Sequence, residues 1–173
     1  GLAGEVIRAE ADPFERQDGT VQWLRWEVRP WHRSDGTVGG IVICSEDITA
    51  SRTVAQDLER AHHFLAEAQR IAHLGSFEFD VATRHTVWSD EEYRIYGLDP
   101  AGPSPVYEAM LAQSIHPEDA AQLHQSFSTA LASRSVYELE HRIVRPDGTV
   151  RWVYDLAHPY CDTQGELVRY IGI

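Results

Sequence analysis

Alternating hydrophobic and polar positions at the start of the chain predict three short antiparallel strands. Aromatic and β-branched residues alternate with polar ones over residues 21–32, and similar runs fill residues 6–16 and 38–45. Asp18-Gly19 and Asp35-Gly36 separate these runs, and Asp-Gly supplies the positive-φ residues that a tight turn needs. The pattern therefore indicates a three-stranded meander.

The hydrophobic period then changes to one typical of a long helix over residues 49–74. Neither Gly nor Pro interrupts this stretch, and Gly75 stands where a helix would stop. Its apolar positions recur at alternating intervals of four and three, which is a heptad pattern. Two interpretations stay open: an amphipathic helix packed on its own domain, or a weak parallel coiled coil that makes a homodimer. The seam positions are Val54, Leu58, Ala61, Leu65, Ala68 and Ala72.

The remaining residues predict an α+β domain. Ser89 can cap a short helix that ends at Gly97, and His116-Pro117 can open the longest helix of this part. Strands followed by helices and then by strands are typical of an antiparallel sheet with its helices on one face. The predicted strands cover residues 76–81, 85–88, 137–144, 150–160 and 166–173, and a further short helix covers 106–114.

The end of the meander is repeated later in the chain. The segment Asp18-Gly19-Thr20-Val21-Gln22-Trp23-Leu24 matches Asp147-Gly148-Thr149-Val150-Arg151-Trp152-Val153, 129 residues further on, and the match continues without a gap. Two copies of one module are therefore expected, the first lacking its beginning and the second its end. The predicted division is 1–49, a linker helix at 50–74, and 75–173.

Composition narrows the range of partners. A net charge of −12 argues against nucleic acid and against an anionic membrane surface. Cys44 and Cys161 are too few for a disulfide framework, which favours a reducing compartment and hence the cytoplasm. No apolar run is long enough to span a membrane, so no membrane contact is expected.

Five motifs, in order along the chain, resemble the PAS family of bacterial sensory domains, and in particular its PAS fold-3 type. The resemblance implies a five-stranded antiparallel sheet whose helices can enclose a small ligand, preceded by a partial PAS sheet (the PAC region) and a linker helix that relays a signal. The motifs are Asp47-Ile48-Thr49, Gly75-Ser76-Phe77-Glu78-Phe79-Asp80, Trp88-Ser89-Asp90-Glu91-Glu92-Tyr93, His116-Pro117-Glu118-Asp119, and His141-Arg142-Ile143-Val144-Arg145-Pro146-Asp147-Gly148 with Trp152.

The residues offer no catalytic constellation. Phosphate-binding glycine loops and a Gly-x-Ser-x-Gly turn are absent from the sequence. The carboxylate pairs Glu91-Glu92 and Glu118-Asp119 open helices, where the helix dipole explains them. No metal-ligand set is apparent. The fragment is therefore predicted not to be an enzyme, and the resemblance implies a parent histidine kinase or, as the alternative, a diguanylate cyclase.

The resemblance also frames the choice of cofactor, whose identity stays open. Flavin-binding, light-responsive members carry Asn-Cys-Arg-Phe-Leu-Gln before the long helix, and its absence here argues against cysteinyl-flavin photochemistry. Haem is the less favoured alternative, with His124 as its candidate ligand. The core is either a cavity for a small-molecule ligand or a solid packing in a ligand-free dimerisation module. Candidate pocket residues are Phe77, Phe79, Trp88, Leu123, His124, Phe127, Leu139 and Ile143.

The incomplete first copy is expected to leave part of its sheet without packing partners. Three strands without their partners leave an apolar sheet face open. We expect Trp23, Trp26 or Trp31 to be covered by residues outside this sequence or by a neighbouring chain.

Overall fold

The structure is a computed structural model that describes residues 5–103 and 105–173. It divides into two compact units, of which the first ends at His63 and the second begins at Phe64. The predicted domain limits at 49/50 and 74/75 stay a prediction.

The first unit contains the predicted meander. Strands β1 (Ile7–Glu15), β2 (Val21–His32) and β3 (Val38–Asp47) form an antiparallel sheet in the order β1-β2-β3. At the first turn Gly19 has a φ of 81°, and the Asp18 carboxylate accepts hydrogen bonds from the backbone N and Oγ1 of Thr20 at 2.9 and 2.7 Å. This Asx geometry is the physical basis of the Asp-Gly signal, and the predicted strands are confirmed.

The three tryptophans of this sheet find part of their cover within the first unit. The Arg52 guanidinium lies 4.0 Å from the ring centroid of Trp23, and the Trp26 indole donates to Asp12 at 2.8 Å. Trp31 lies over the backbone of β3, although 47% of its surface stays exposed. Further cover from other residues or another chain stays a prediction.

Helix α1 (Thr49–Ala72) confirms the predicted helix and leaves its apolar seam uncovered. None of its residues is buried. Leu58 is 70% exposed and Leu65 57%, while Phe64 and Ile71 add exposed apolar surface beside the seam. Amphipathic helices gain most of their stability from packing, and the apolar face of α1 lacks such packing in the single chain. A coiled coil with a second copy remains a prediction.

The second unit has the predicted α+β architecture. Its sheet is antiparallel in the order β5-β4-β8-β7-β6, which confirms the expected five strands. Three helices connect β5 to β6 and pack against the sheet. The elements are β4 (Phe77–Asp80), β5 (Thr86–Trp88), α2 (Asp90–Tyr96), α3 (Tyr107–Gln113), α4 (Pro117–Ser133), β6 (Tyr137–Val144), β7 (Val150–Cys161) and β8 (Leu167–Gly172).

Helix ends in this unit follow the signals in the sequence. Ser89 caps α2 by accepting a hydrogen bond from the Glu92 backbone N, and α2 ends at Gly97, whose φ is 74°. His116 caps α4, with Pro117 in the first turn. Capping of this kind satisfies backbone groups that a short helix would otherwise leave unpaired.

The core of the second unit is aromatic and centres on Phe127. Its ring centroid lies 5.1 Å from that of Phe79, 5.2 Å from that of Tyr137 and 5.5 Å from that of Tyr170. Tyr170 is fully buried, and its hydroxyl donates to the carbonyl oxygens of Ala130 and Ser135. The edge-to-face contacts anchor α4 to the middle of the sheet.

The sequence repeat is also a repeat of strand register. Val28 pairs with Ile43 in the first unit, and Ala157 pairs with Gly172 in the second, with each residue 129 positions after its counterpart. The β2–β3 and β7–β8 pairs have a register shift at the same place. The copies differ in β1, which carries an additional irregularity that β6 lacks. The two hairpins therefore share strand order and register, and their origin as two copies of one PAS module stays a prediction.

Candidate functional site

A small cavity lies inside the second unit, between the sheet and the three helices. Its volume is about 40 Å³. Aromatic side chains make most of its wall, and Thr86, Glu92 and Asp155 add polar groups. The aromatic lining residues are Phe77, Phe79, Trp88, Tyr96, Tyr107, Phe127 and Tyr137.

Five of the eight predicted pocket residues line this cavity and three do not. Leu123 and Phe127 face it from α4, and Phe77, Phe79 and Trp88 line it from the sheet. His124, Leu139 and Ile143 lie outside its wall. Whether the cavity holds a ligand stays a prediction.

His124 follows Leu123 on α4 and is therefore turned about 100° away from it. Its side chain is exposed, and its ring lies 6.2 Å from that of Tyr107 without lining the cavity. Leu139 is half-buried and packs against the core, while Ile143 is fully buried and bridges to Ile115. The candidate haem ligand thus lies outside the cavity.

Two carboxyl groups line the cavity without a hydrogen-bond donor. Glu92, on α2, is 7% exposed, and the side chain of Asp155, on β7, is 17% exposed. Neither carboxyl accepts a hydrogen bond from the described residues. Burial, followed by the proximity of Asp155, raises the pKa of Glu92 to about 8, and burial raises the pKa of Asp155 to about 7.

Three further buried groups beside these carboxyls have unsatisfied polar atoms. The hydroxyls of Tyr107 and Tyr137 line the cavity wall and have no hydrogen-bond partner among the described residues. His141 is 1% exposed, and its Nδ1 lies 3.9 Å from the Asp155 carboxylate, beyond hydrogen-bonding distance. Burial lowers the pKa of His141 to about 4, so the ring is neutral near pH 7.

A larger depression of about 270 Å³ lies on the other side of the same carboxyls. Glu92, Tyr96 and Asp155 line both spaces and so form the partition between them. Arg151 and the residues that follow α1 also line the outer depression. Only this polar partition therefore separates the inner cavity from the outer depression.

The start of α2 is tied to the end of α1. Ser76 donates its backbone N–H to the Ser89 hydroxyl at 2.9 Å, and Gln69 donates its side-chain amide to the Ser76 hydroxyl at 2.9 Å. His73 lies 3.4 Å from the Glu91 carboxylate. The helix that carries a cavity carboxyl is thus linked to the last turn of α1 through Ser76, and to the residue after that turn through His73.

The sequence interpretation of Glu91-Glu92 was incomplete. Both residues lie in the first turn of α2, where the dipole favours acids. Both are also buried: Glu91 pairs with Arg94 at 3.2 Å, whereas Glu92 lines the cavity. Asp155 gave no separate signal, apart from its position on the inward face of a strand otherwise rich in apolar residues.

The model of the family described as "PAS fold" matches residues 85–173, half of the chain. The chain belongs to the PAS fold family. The match covers most of the second unit, and membership of the first copy stays a prediction. No helix among residues 5–103 and 105–173 has the length and apolarity to cross a membrane.

Relatives of this PAS chain occur in signalling proteins. It is 24% identical over 173 residues to the probable diguanylate cyclase DgcE of Escherichia coli K12. The similarity covers 99% of this chain but only 15% of the length of that curated relative.

Two solved structures are also similar. The N-terminal domain of a diguanylate cyclase with PAS/PAC sensor from Marinobacter aquaeolei is 20% identical, with a TM-score of 0.52 over 57% of this chain and 89% of that one. A sensory box histidine kinase/response regulator from Burkholderia thailandensis is 25% identical, with a TM-score of 0.48 over 57% of this chain and 72% of that one.

Proposed function

We propose that this chain is a cytoplasmic sensory module of a multidomain bacterial signalling protein. In this proposal the cavity of the second unit takes a small ligand, and α1 transmits the resulting change. The observation that carries the proposal is the cavity wall itself, where the side chains of Glu92, Asp155, Tyr107 and Tyr137 have no hydrogen-bond partner among the described residues.

Such a wall lowers the folding stability of a domain that binds no ligand. A buried hydroxyl without a partner costs about 1–3 kcal/mol, and a buried carboxylate costs more. Apolar side chains of similar size would fill the same space with a gain in stability. Buried polar groups that lower stability are a mark of a functional site, so the arrangement favours ligand binding over passive packing.

The connection from α2 to α1 supplies a route for the signal. A ligand that moves or ionises Glu92 changes the first turn of α2, to which Ser76 and His73 are bonded. Because these residues follow α1 directly, the change alters the last turn of that helix. In a dimer, the two α1 helices would switch between two discrete packings, and the ligand would shift the population of these packings and so act on the output domain.

A second candidate function is a ligand-free dimerisation module. The exposed heptad seam of α1 favours it, with Val54 67% and Leu58 70% exposed. A second copy of this chain offers the same seam, so a parallel homodimer would bury both. The two functions are compatible, because a dimeric α1 is also the relay that the sensory proposal needs.

We propose that the parent protein is a diguanylate cyclase or a histidine kinase. The cyclase receives the stronger support, because the similarity to the E. coli relative extends over 99% of this chain and so includes both units. Cyclase and kinase assays on the full-length protein distinguish the two.

The sensory proposal is tested by following the Trp88 indole signal in ¹H–¹⁵N NMR spectra, assigned with Trp88→Phe. Fractions of a small-molecule cell extract are added to the whole chain. We expect at least one fraction to shift the signals of Trp88 and Gly75 together. If no fraction moves Trp88, the cavity takes no cellular ligand and the dimerisation function alone remains.

A further inference from the structure

We propose that the cavity is a site for a small organic ammonium ion, held between aromatic rings and the carboxylates of Glu92 and Asp155. This inference rests on the proposed sensory function and names the chemical class of its ligand. Four features of the wall carry it: aromatic faces, uncompensated acids, unpaired phenols and size.

The aromatic lining provides the first feature. Trp88 and Tyr96 lie with their ring centroids 4.5 Å apart, and Phe77 lines the cavity beside them. Ring faces attract ammonium ions through their quadrupole, and Trp is the strongest of these rings. Removal of the ammonium ion from water strengthens that attraction.

The acids of the wall have no basic partner, which provides the second feature. Arg94 pairs with Glu91 at 3.2 Å, and Arg145 donates to the Ile95 carbonyl oxygen at 2.8 Å. His141, the basic group nearest to Asp155, is neutral near pH 7 because it is buried. A cation entering the cavity would therefore be the missing counter-charge.

The phenols provide the third feature. Tyr107 is 6% and Tyr137 4% exposed, and neither hydroxyl has a hydrogen-bond partner among the described residues. A hydroxyl oxygen can accept a hydrogen bond from an ammonium N–H. Once the carboxyls are ionised, an anionic ligand would be repelled by them, and an uncharged ligand would leave their charge uncompensated.

The volume sets the size of the ligand. About 40 Å³ accommodates roughly three water molecules. An ammonium head with about three heavy atoms matches this space, and a longer chain could extend toward the outer depression of about 270 Å³. Ethylammonium is therefore a suitable probe.

Binding of this kind is coupled to protons. The raised pKa values of Glu92 and Asp155 leave much of the pair protonated near pH 7. A bound cation stabilises the ionised forms and releases protons, so affinity should rise with pH. The other titratable groups facing this wall are His141 from β6, Tyr96 from α2, Tyr107 from α3 and Tyr137 from β6, with Arg151 and His73 at the outer depression.

The experiment titrates the whole chain with ethylammonium chloride at pH 8.5 and follows the Trp88 indole signal. Ethanol and sodium acetate are matched probes of similar size that are neutral and negative. We expect saturable shifts with ethylammonium, an affinity for ethanol at least about tenfold weaker, and no response to acetate, because charge-assisted contacts are worth about 1.5–3 kcal/mol.

Neutral variants test the role of the acids. Glu92→Gln and Asp155→Asn should each weaken ethylammonium binding by about tenfold or more, whereas Glu140→Gln, an exposed acid on β6, should not. Dispersed NMR spectra establish that each variant is folded. From pH 6 to 8, the affinity of the unmodified chain should rise by up to about tenfold per pH unit for each carboxyl that ionises on binding.

The outcomes separate this inference from the sensory function. Equal binding of ethanol and ethylammonium, or full binding by Glu92→Gln and Asp155→Asn together, overturns the ammonium assignment. If extract fractions still shift Trp88 in that case, the sensory function stands with a ligand of another class. If neither extract nor ethylammonium moves Trp88, both proposals fail.

Discussion

The carboxyl group of Glu92 occupies the space that a β-carbon on Gly75 would fill. Gly75 is buried just after α1, and Glu92 lines the cavity. A glycine at this position therefore allows a cavity carboxyl to lie against the end of the linker helix. This contact joins the candidate sensing site to the candidate relay within the second unit.

Gly75→Ala should destabilise the chain and displace Glu92. The new β-carbon would overlap the Glu92 carboxyl group, and overpacking of a buried site costs about 1–3 kcal/mol. Urea unfolding measures this loss as a decrease in the free energy of unfolding. The Trp88 indole signal should shift in the same variant, because Trp88 lines the same cavity as Glu92.

The matched control is the same substitution in a Glu92→Ala background. Shortening Glu92 removes the overlapping carboxyl, so Gly75→Ala should then cost less. An equal cost in both backgrounds would assign the loss to the backbone of Glu92, which lies 2.9 Å from the new β-carbon.

The stability of the chain should fall as pH rises from about 4 to about 8. Glu92 and Asp155 have folded-state pKa values of about 8 and about 7, above the ordinary carboxyl range. The folded state therefore holds protons that the unfolded state has released, and each such carboxyl lowers stability by about 1.4 kcal/mol per pH unit within its window. Urea unfolding at a series of pH values measures the slope.

Glu92→Gln should flatten this slope and raise the free energy of unfolding at pH 8.5 by about 2 kcal/mol or more, because it removes an unpaired buried charge. Glu140→Gln, on an exposed position, is the control that should change neither quantity. A wild-type stability that is constant between pH 5 and pH 8 would show that both carboxyls are solvated.

Much of the fold was predictable because its signals are local. Asp18-Gly19, Ser89 and Gly97 each act through one turn or one cap, and the structure places a turn or helix end at each. The wall of the cavity was harder to predict. Leu123 and Phe127 belong to a periodic apolar stripe, which predicts that they face inward, and both line the cavity.

Glu92 and Asp155 were missed because acids usually lie in solvent. Glu92 occupies a position where the helix dipole is a sufficient explanation for an acid. Its burial depends on Gly75, a residue 17 positions earlier, and such a contact between separate elements leaves no trace in local periodicity. The predicted pocket residue His124 lies one helical step beyond Leu123, which places its exposed side chain away from the cavity wall.

The pair Asp119–Arg142 should matter more for stability than its exposed neighbour. Arg142 donates its backbone N and its Nε to Asp119 at 2.8 and 2.9 Å, and these bonds hold the pKa of Asp119 far below the ordinary range. Asp119→Asn should lower the melting temperature at pH 7 more than Glu118→Gln, whose side chain is 72% exposed.

The stabilisation by Asp119 should decrease as the pH is lowered. A depressed carboxyl pKa stabilises the folded state above about pH 4, and the contribution is lost as pH falls toward the folded-state value. The difference between Asp119→Asn and the unmodified chain should therefore shrink in strong acid. Melting temperatures that are equal at pH 7 would contradict the assigned role.

The proposed homodimer should depend on the seam of α1. Leu58→Glu combined with Leu65→Glu places charges at two seam positions that are 70% and 57% exposed in the single chain. Light scattering should then report a monomer. Gln56→Glu with His63→Glu has the same seven-residue spacing on another face of the helix and should leave the dimer intact. An unchanged mass for the seam variant would contradict the coiled coil.

The coupling of Glu92 to the end of α1 is tested most directly by ¹³C NMR across pH 6 to 9. The Glu92 carboxyl should titrate with a pKa of about 8, and the backbone carbonyl signals of Gln69, Leu74 and Gly75 should shift with the same midpoint. Glu92→Gln should abolish those backbone shifts, while Glu140→Gln should preserve them. If Glu92 titrates but the signals of Gln69 and Leu74 do not move, the cavity does not communicate with the linker helix.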